Sequence, residues 1–223
     1  MINSAVAPLF PHRLAAIIRW HDHDQAAEAA LVAARAGVGS VEVTAGTPGA
    51  FELIAKLRSR SDLGQSCAFG AGTVVDVETA SRAVDAGAQY LVTPYLVPAV
   101  AEIASNAGLP LVMGALTPTE IVRAEELGAQ LVKVFPASPV GGPAYIRALR
   151  GPMPHTPIWV SGGVRIDDSA EYLRAGADVV GLTNDLFRPE LLLAEDWAGL
   201  SSLCERALAA VGAATPSRPT AAV

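Results

Sequence analysis

One local pattern recurs along the chain: a helical stretch ends at a glycine, and a short apolar run follows it. Each run is short and rich in valine and leucine, as expected for a strand buried on both faces. The glycine is the expected left-handed C-cap of the helix. The glycines lie about 20 residues apart, or at multiples of about 20–25, the length of one strand–helix unit. They are Gly37, Gly87, Gly108, Gly128 and Gly176.

Filling the gaps between these units gives eight predicted strands, each followed by a helical segment. Strict strand–helix alternation leaves a doubly wound open sheet or a closed barrel, and the count of eight favours a single-domain α/β fold, the (β/α)8 TIM barrel. The clearest helix is Asp24–Ala36, with alanines along one face. The strands are Leu14–Arg19, Ser40–Val43, Cys67–Gly70, Tyr90–Thr93, Leu109–Gly114, Leu131–Phe135, Ile158–Ser161 and Val179–Thr183.

Length and composition limit the classes of protein to which the chain can belong. The chain has 223 residues, 51% of them hydrophobic, which suits one domain with a large core. We expect residues 1–211 to form the barrel and residues 212–223, a Pro/Ala/Thr-rich tail, to be disordered. The net charge of −6 without a Lys/Arg run argues against nucleic-acid binding. No apolar run is long enough to cross a membrane, and the N-terminus is a poor signal peptide, so a cytoplasmic protein is expected.

Two further absences shape the expected chemistry. The two cysteines, Cys67 and Cys204, lie in apolar segments and are interpreted as buried reduced thiols. Metal-ligand spacings and a CxxC motif are absent from the sequence, so neither a metal nor a cofactor is expected.

In a barrel of this kind the chemistry lies where strands end and helices begin. The useful question is therefore which residues lie at those eight points. Read in chain order, they are Arg19, Glu42 with Thr44, Gly72 with Thr73, Thr93 with Pro94, Gly114, Lys133, Gly162 with Gly163, and Thr183 with Asn184.

Lys133 is the sharpest signal among them. The chain has only two lysines among sixteen Lys and Arg residues; Lys56 lies in a polar helix region, whereas Lys133 lies in LVKVFP between two valines. Burial disfavours the charged ammonium and lowers the lysine pKa, which makes the amine available as a nucleophile that forms Schiff bases. The alternative is a lysine that is paired with a carboxylate or reaches solvent at the strand end.

Glu42 is the matching candidate for proton transfer. In SVEVT, strand alternation sets Val41 and Val43 on one side and Glu42 on the other. An inward Glu42 near an inward Lys133 would be its acid–base partner. A buried ion pair without a catalytic role is the alternative.

Backbone turns after the later strands indicate an anion site. Gly162 and Gly163 can present N–H groups near the start of a helix, and late-barrel loops often bind phosphate in this way. Thr183 and Asn184 stand at the matching point after strand eight. The turn GAGT, after strand three, could offer the Thr73 hydroxyl to a substrate. Plain tight turns remain an alternative for each, and His21 and His23 are interpreted as part of a solvated capping loop.

The segments VEVTAGTP, FGAGTVVDVETA, YLVTP, LTPTE, LVKVFPAS and VSGGV, in this order, resemble the family of 2-keto-3-deoxy-6-phosphogluconate (KDPG) and 6-phosphogalactonate (KDPGal) aldolases. They span most of the chain. The resemblance implies a metal-free class I aldolase, usually a homotrimer, that acts on a phosphorylated keto acid and releases pyruvate. It implies that Lys133 forms the Schiff base and Glu42 transfers protons, while the substrate is bound by Arg19, Thr73, Pro94, Gly162, Gly163, Thr183 and Asn184.

Departures from the family pattern concern the substrate. Many gluconate-type members carry an arginine after E-V-T-x that binds the carboxylate, and this chain has Gly46 there. Galactonate-type members lack it too, and carry instead an arginine at the end of strand one, as IIRW gives Arg19 here. The segment GLTNDLFR is also closer to the galactonate type. We therefore expect Arg19 to replace the arginine missing at Gly46.

Three other functions are compatible with the same fold. One is an aldolase for 4-hydroxy-2-oxoglutarate, which needs no phosphate site. The others are a non-catalytic phosphosugar-binding barrel and an isomerase or synthase barrel without lysine chemistry. Lys133, in a chain so poor in lysine, argues against the last two.

Overall fold

The computed structural model describes residues 6–63 and 66–214, which form a closed barrel of eight parallel strands in sequential order. This confirms the predicted (β/α)8 barrel. The strands are β1 (Leu14–Ile18), β2 (Ser40–Thr44), β3 (Ala68–Gly72), β4 (Leu91–Val92), β5 (Leu111–Ala115), β6 (Leu131–Val134), β7 (Ile158–Val160) and β8 (Val179–Leu182). Each strand pairs with its neighbours in the chain, and β8 closes the barrel on β1.

Helices alternate with the strands around the outside of the barrel. They are α1 (His23–Arg35), α2 (Ala50–Arg58), α3 (Val77–Asp85), α4 (Pro98–Ala107), α5 (Pro118–Glu126), α6 (Gly142–Arg150), α7 (Ser169–Ala175), α8 (Pro189–Leu193) and α9 (Trp197–Gly212). Two helices follow β8, where the sequence pattern predicted one segment. None of the helices in the described part of the chain is long and apolar enough to cross a membrane.

The predicted boundaries differ from the observed ones by one or two residues. Arg19, predicted as the last residue of β1, lies just after it, and Thr93 follows β4 although its N–H still donates to Val112 O at 2.9 Å. Helix α1 begins at His23, one residue before the prediction, because the Asp22 side chain accepts a hydrogen bond from Gln25 N and caps the helix. Strand and helix ends are the least determined part of a sequence pattern.

The glycine pattern is confirmed in the backbone. The five glycines that follow the helices all have positive φ, from 65° at Gly108 to 113° at Gly176. This left-handed conformation is one that side chains with a Cβ rarely adopt. The glycines that defined the repeat therefore do turn the chain from each helix into the next strand.

The apolar residues pack in two layers, one between the strands and the helices and one inside the barrel. Outward residues such as Val41, Val43 and Val132 pack against the helices in the larger layer. A smaller layer fills the barrel interior, where Phe10 packs edge-on against Tyr90 and Trp159, with ring centroids 5.1 Å away in each case. The segment before β1 thus closes one end of the barrel, and the opposite end, where the strands finish, is left for the site.

The last described helix packs on the outside of the barrel. Helix α9 finishes at Gly212, so the expected boundary at residue 211 falls within its last turn. Residues 215–223 of the expected disordered tail lie outside the described residues. The two cysteines are buried and free, as predicted, and burial raises the pKa of each thiol to about 12.

Candidate active site

Lys133 points into the barrel from β6. It alternates with Val132 and Val134, which face the helices, so the lysine must face the interior. Its ammonium nitrogen lies 5.5 Å from the ring centroid of Phe135 and 5.8 Å from that of Trp159. The side chain is only 7% exposed. The amine is therefore enclosed largely by aromatic and apolar groups.

Glu42 reaches the same interior from β2. Its Oε1 lies 3.7 Å from Lys133 Nζ, close enough for an ion pair but longer than a hydrogen bond. Within the described residues, neither carboxylate oxygen has a hydrogen-bond partner. Buried polar groups are normally paired, so an unpaired carboxylate here marks a place that a ligand or proton transfer would use.

Burial shifts the ionisation of both groups toward their neutral forms. Desolvation lowers the pKa of Lys133, and the Glu42 carboxylate opposes this shift only in part. Desolvation likewise raises the pKa of Glu42 against the opposing charges of Lys133 and Arg19. A neutral amine is a nucleophile and a protonated carboxyl is a proton donor. The pair is therefore prepared for attack on a carbonyl followed by loss of water.

Gly72 makes room for the Glu42 carboxyl. A Cβ at this position would lie 1.8 Å from Glu42 Oε1, which is far inside van der Waals contact. Gly72 is the last residue of β3, and it pairs in register with Thr44 of β2. The glycine in GAGT is thus explained by the acid that lies against it, a role that the sequence did not reveal.

Arg19 and Thr73 meet at the rim of the barrel. Arg19 Nη2 donates a hydrogen bond of 3.4 Å to Thr73 Oγ1, and Arg19 also lines the cavity that contains Lys133. No ion pair among the described residues joins Arg19 to Asp22 or Asp24. Asp22 instead caps α1. The structure therefore brings two of the predicted substrate-binding residues into direct contact.

A cavity of about 420 Å³ opens beside Lys133. Its wall contains most of the predicted binding residues together with several that the sequence analysis did not single out. The predicted ones are Arg19, Lys133, Gly162, Gly163, Thr183 and Asn184. The additional ones are Ile17, Phe135, Ser161, Val164, Arg165, Gly181 and Asp185. The volume suits a small organic anion.

The glycine pair forms one end of this cavity. Gly162 and Gly163 have φ values of 86° and 76°, and a Cβ on Gly162 would lie 2.8 Å from Pro136 Cα. Among the described residues, no hydrogen bond engages the N–H of either glycine. Two donors in a turn forced to be glycine are the arrangement expected of an anion site.

The loops at this end are tied to one another. Ser138 N donates to Gly162 O at 3.0 Å, which joins the loop after β6 to the loop after β7. Ile166 N donates to Asp185 Oδ2 at 2.8 Å, which joins the loops after β7 and β8. The predicted residues that follow β7 and β8 are thereby held together at one edge of the barrel.

Pro94 occupies a different position from the other predicted binding residues. It is not part of the cavity wall; its carbonyl carbon lies 2.2 Å from where a Cβ on Gly114 would stand. Thr93 holds this turn, because its hydroxyl donates to Tyr95 O at 2.6 Å and accepts from Gly114 N at 3.2 Å. The close packing accounts for Gly114.

Signals for the missed residues were present in the sequence. Arg165 comes two residues after the glycine pair in SGGVR, and Asp185 follows Asn184 directly. Phe135 lies two residues after Lys133, so strand alternation places both side chains on the same side of the strand. Each could have been found by extending the strand-end positions by one or two residues.

The comparisons with known proteins agree with this geometry. A curated relative from Treponema pallidum (strain Nichols), named 2-dehydro-3-deoxy-phosphogluconate aldolase, is 36% identical over 79% of this chain and 82% of its own length. A relative from Escherichia coli (strain K12), named 2-dehydro-3-deoxy-6-phosphogalactonate aldolase, is 33% identical over 78% of this chain and 84% of its own. A solved structure described as "Native KDPGal structure" is 29% identical, covers 90% of this chain and 95% of its own, and has a TM-score of 0.81.

The protein is an aldolase, a carbon–carbon lyase built on a (β/α)8 barrel. The model of the KDPG and KHG aldolase family matches residues 8–203, and the chain belongs to that family. The resemblance noted in the sequence is thereby confirmed.

Proposed function

We propose that this protein is a class I aldolase that cleaves a 2-keto-3-deoxy-6-phospho sugar acid into pyruvate and glyceraldehyde 3-phosphate. The observation that carries the proposal is the buried Lys133–Glu42 pair, 3.7 Å apart, with Lys133 in the wall of a cavity that also includes the glycine pair Gly162 and Gly163. The names of the gluconate-type and galactonate-type relatives support the substrate class.

The reaction begins at Lys133. Its lone pair attacks the C2 carbonyl of the keto acid, and Glu42 donates a proton to the resulting hydroxyl, which leaves as water. The protonated imine then accepts the electrons of the C3–C4 bond, which breaks when a base takes the proton of the C4 hydroxyl. Glyceraldehyde 3-phosphate leaves, and the enamine gains a proton at C3 and is hydrolysed to pyruvate, which regenerates the amine.

The remaining residues are proposed to hold the two charged ends of the substrate. Arg19 and Thr73 would bind the carboxylate beside the carbon that Lys133 attacks. Gly162 and Gly163 would donate their N–H groups to the phosphate, with Thr183 and Asn184 completing that end. Pro94 would hold the substrate from the turn after β4, where it packs closely on Gly114.

A substrate panel with chemical trapping tests the function. We expect KDPG or KDPGal to release pyruvate about 10²-fold faster in kcat/KM than the unphosphorylated analogue, the value of two charge-assisted hydrogen bonds. Both epimers belong in the panel because relatives of both types match. Pyruvate with borohydride should add a stable mass to Lys133, and Lys56 serves as the internal control.

Two results would contradict the proposal. An adduct on Lys56, or none, removes the Schiff-base assignment. Equal rates with and without phosphate would favour the 4-hydroxy-2-oxoglutarate alternative, whose substrate carries no phosphate.

The family resemblance also underlies the proposal of a homotrimer in the cytoplasm. Light scattering coupled to size-exclusion chromatography measures the assembly directly, with three chains of 22.9 kDa as the expected mass. Cell fractionation followed by immunoblotting tests the location.

A further inference from the structure

We propose that Arg165 determines specificity by sensing the charge of the substrate's terminal group, so that a phosphate dianion is selected over a monoanion or a neutral hydroxyl. This inference rests on the proposed function and goes beyond the glycine loop, because it assigns a cation to the anion end of the cavity. Three features of the structure support it: where Arg165 lies, how its backbone is held, and which charges surround it.

Arg165 lines the same cavity as Lys133, at the end formed by Gly162, Gly163 and Asn184. It follows the glycine pair after a single intervening residue, so it belongs to the same loop. The residue is exposed, in contrast to buried Lys133. A long, exposed guanidinium at the cavity wall can reach an anion without the cost of permanent burial.

The peptide group that follows Arg165 is held at both of its ends. Ile166 N donates to Asp185 Oδ2 at 2.8 Å, and Ser169 Oγ donates to the Arg165 carbonyl oxygen at 3.0 Å. The first bond ties the segment to the loop after β8, and the second ties it to the start of α7. The side chain therefore extends from a rigid support, which reduces the conformational entropy lost when it binds an anion.

The neighbouring carboxylates are engaged by other arginines. Asp185 accepts from Arg188 Nη2 at 3.3 Å, and Asp167 accepts from Arg206 Nη2 at 2.8 Å. Across residues 6–63 and 66–214, no ion pair forms between Arg165 and any carboxylate. The guanidinium of Arg165 thus remains available to bind an anion. Asp185, the carboxylate in the cavity wall, is already paired with Arg188.

The charge of Arg165 adds what the glycine loop cannot provide. Backbone N–H groups are neutral donors, whereas a guanidinium attracts an anion in proportion to the anion's charge and can bind phosphate through two parallel hydrogen bonds. The attraction should therefore roughly double as a phosphate monoester loses its second proton, near pH 6. Arg19 is proposed to bind the other charged end of the substrate, the carboxylate, beside Thr73.

The test compares wild-type protein with Arg165→Ala, and uses Arg123→Ala as the matched control. Arg123 is an exposed arginine paired with Glu126 on α5, outside the cavity. For each protein, kcat/KM is measured for the phosphorylated substrate and for its unphosphorylated analogue between pH 5 and 8. Taking the ratio of the two values removes the titration of Lys133 and Glu42, which both substrates share.

We expect the wild-type ratio to rise with pH through the second ionisation of the phosphate, near pH 6. Arg165→Ala should lower the ratio at pH 8 by about 10- to 100-fold and flatten its pH dependence, as expected for loss of one charged hydrogen-bonding group. The unphosphorylated analogue should be cleaved at the wild-type rate by the variant. Glycerol 3-phosphate, titrated by calorimetry, should bind more weakly to Arg165→Ala by the same factor.

Each contrary outcome has a distinct meaning. An unchanged ratio and pH profile in Arg165→Ala, with an active wild type, overturns the inference and leaves the proposed function intact. An equal loss on both substrates shows a structural role and also overturns it. A wild-type protein that releases no pyruvate from any panel member overturns the proposed function itself, and the calorimetric comparison then still decides whether Arg165 binds phosphate.

Discussion

The two ends of the barrel interior are built on opposite principles. At the closed end, Phe10 and Tyr90 pack edge-on, and the one buried hydroxyl pair, Tyr90 with Ser40, is joined at 2.8 Å. At the open end, Glu42 and Lys133 are just as deeply buried, yet they are too far apart for a hydrogen bond. The closed end is packed and its hydroxyl pair is hydrogen-bonded, whereas at the open end the Glu42 carboxylate has no hydrogen-bond partner among the described residues.

The two ends therefore contribute differently to stability: apolar packing stabilises the closed end, whereas the buried ionisable pair at the open end does not. Apolar burial stabilises the closed end by roughly 25 cal/mol per Å². A buried ion pair contributes little or is unfavourable, because desolvation offsets the mutual attraction of the charges. Trp159 lies between the two ends; its ring packs on Phe10, while its Nε1 has no hydrogen-bond partner among the described residues and lies close to Gly181. Substitutions at the open end should therefore change turnover, and those at the closed end should change stability.

The largest effect on turnover is expected from Glu42→Gln. We predict a loss of about 10²-fold or more in kcat, the usual value of general acid–base catalysis. The substitution also changes the pKa of Lys133, and the direction of that change helps to interpret the loss of turnover. Since the Glu42 carboxylate raises the Lys133 pKa, its removal leaves the amine more readily neutral, so the loss cannot come from a protonated nucleophile. Steady-state pyruvate release across pH 5–9 measures it.

Two observations guard this prediction. The fold should survive, because the amide is nearly isosteric and neither carboxylate oxygen has a hydrogen-bond partner to lose within the described chain. Glu102→Gln, at an exposed site on α4, is the control for a charge change without a role in the site. Near wild-type turnover in Glu42→Gln would make Glu42 merely structural.

Arg19→Ala should give the next largest effect. Arg19 lies beside Thr73 and is proposed to bind the carboxylate, so its loss should weaken binding of both pyruvate and the full substrate by about 10- to 100-fold, the value of one charged hydrogen-bonding group. Pyruvate binding is measured from the concentration dependence of borohydride trapping. If only the phosphorylated aldehyde bound more weakly, Arg19 would belong to the phosphate end instead.

A second substitution, at Gly46, tests whether an arginine there can restore the pyruvate binding lost in Arg19→Ala. A Cβ at Gly46 would meet nothing within 4 Å, so a larger side chain can be placed there. Many gluconate-type relatives carry their arginine at this position. In Arg19→Ala/Gly46→Arg, we expect part of the lost pyruvate affinity to return. A double variant no better than Arg19→Ala would show that Gly46 is too distant from the carboxylate to substitute.

The sequence predicted the fold better than the details of the site, for a physical reason. The glycine C-caps and apolar runs are local signals, and they specified eight strands to within two residues. The inward direction of Glu42 and Lys133 also followed from strand alternation. Their separation, however, depends on the closure of the barrel, which brings together residues 91 positions apart in the chain.

The positions whose surroundings the sequence did not reveal depend on the same three-dimensional contacts. Gly72 was interpreted as part of a substrate turn, but the structure shows that it is small because Glu42 lies against it. Arg165 and Asp185 were overlooked because each lies just beyond the strand-end positions, although a hydrogen bond from Ile166 N to Asp185 Oδ2 joins their loops. Pro94 fits the strand-end pattern and yet lies outside the cavity wall, since its turn packs on Gly114.

The smallest effect on turnover should come from Tyr90→Phe at the closed end. The hydroxyl of Tyr90 is buried and joined to Ser40 Oγ, so its loss leaves the Ser40 hydroxyl without its partner. Leaving a buried hydroxyl unsatisfied costs about 1–3 kcal/mol, whereas removing both hydroxyls is often closer to neutral. Tyr90→Phe should therefore lower the free energy of unfolding in urea by about that amount, and Ser40→Ala/Tyr90→Phe should recover part of it.

Turnover should stay close to wild type in both variants, because the ring and its packing on Phe10 remain and Lys133 is not touched. Tyr90 does lie near enough to Glu42 for the carboxylate to contribute to the raised pKa of the phenol. The pH profile of kcat is thus the sensitive measurement. An unchanged profile together with lower stability would separate the two ends of the barrel. A displaced profile would show instead that the closed end tunes the ionisation of Glu42, and the division into a packed end and a reactive end would have to be redrawn at Tyr90.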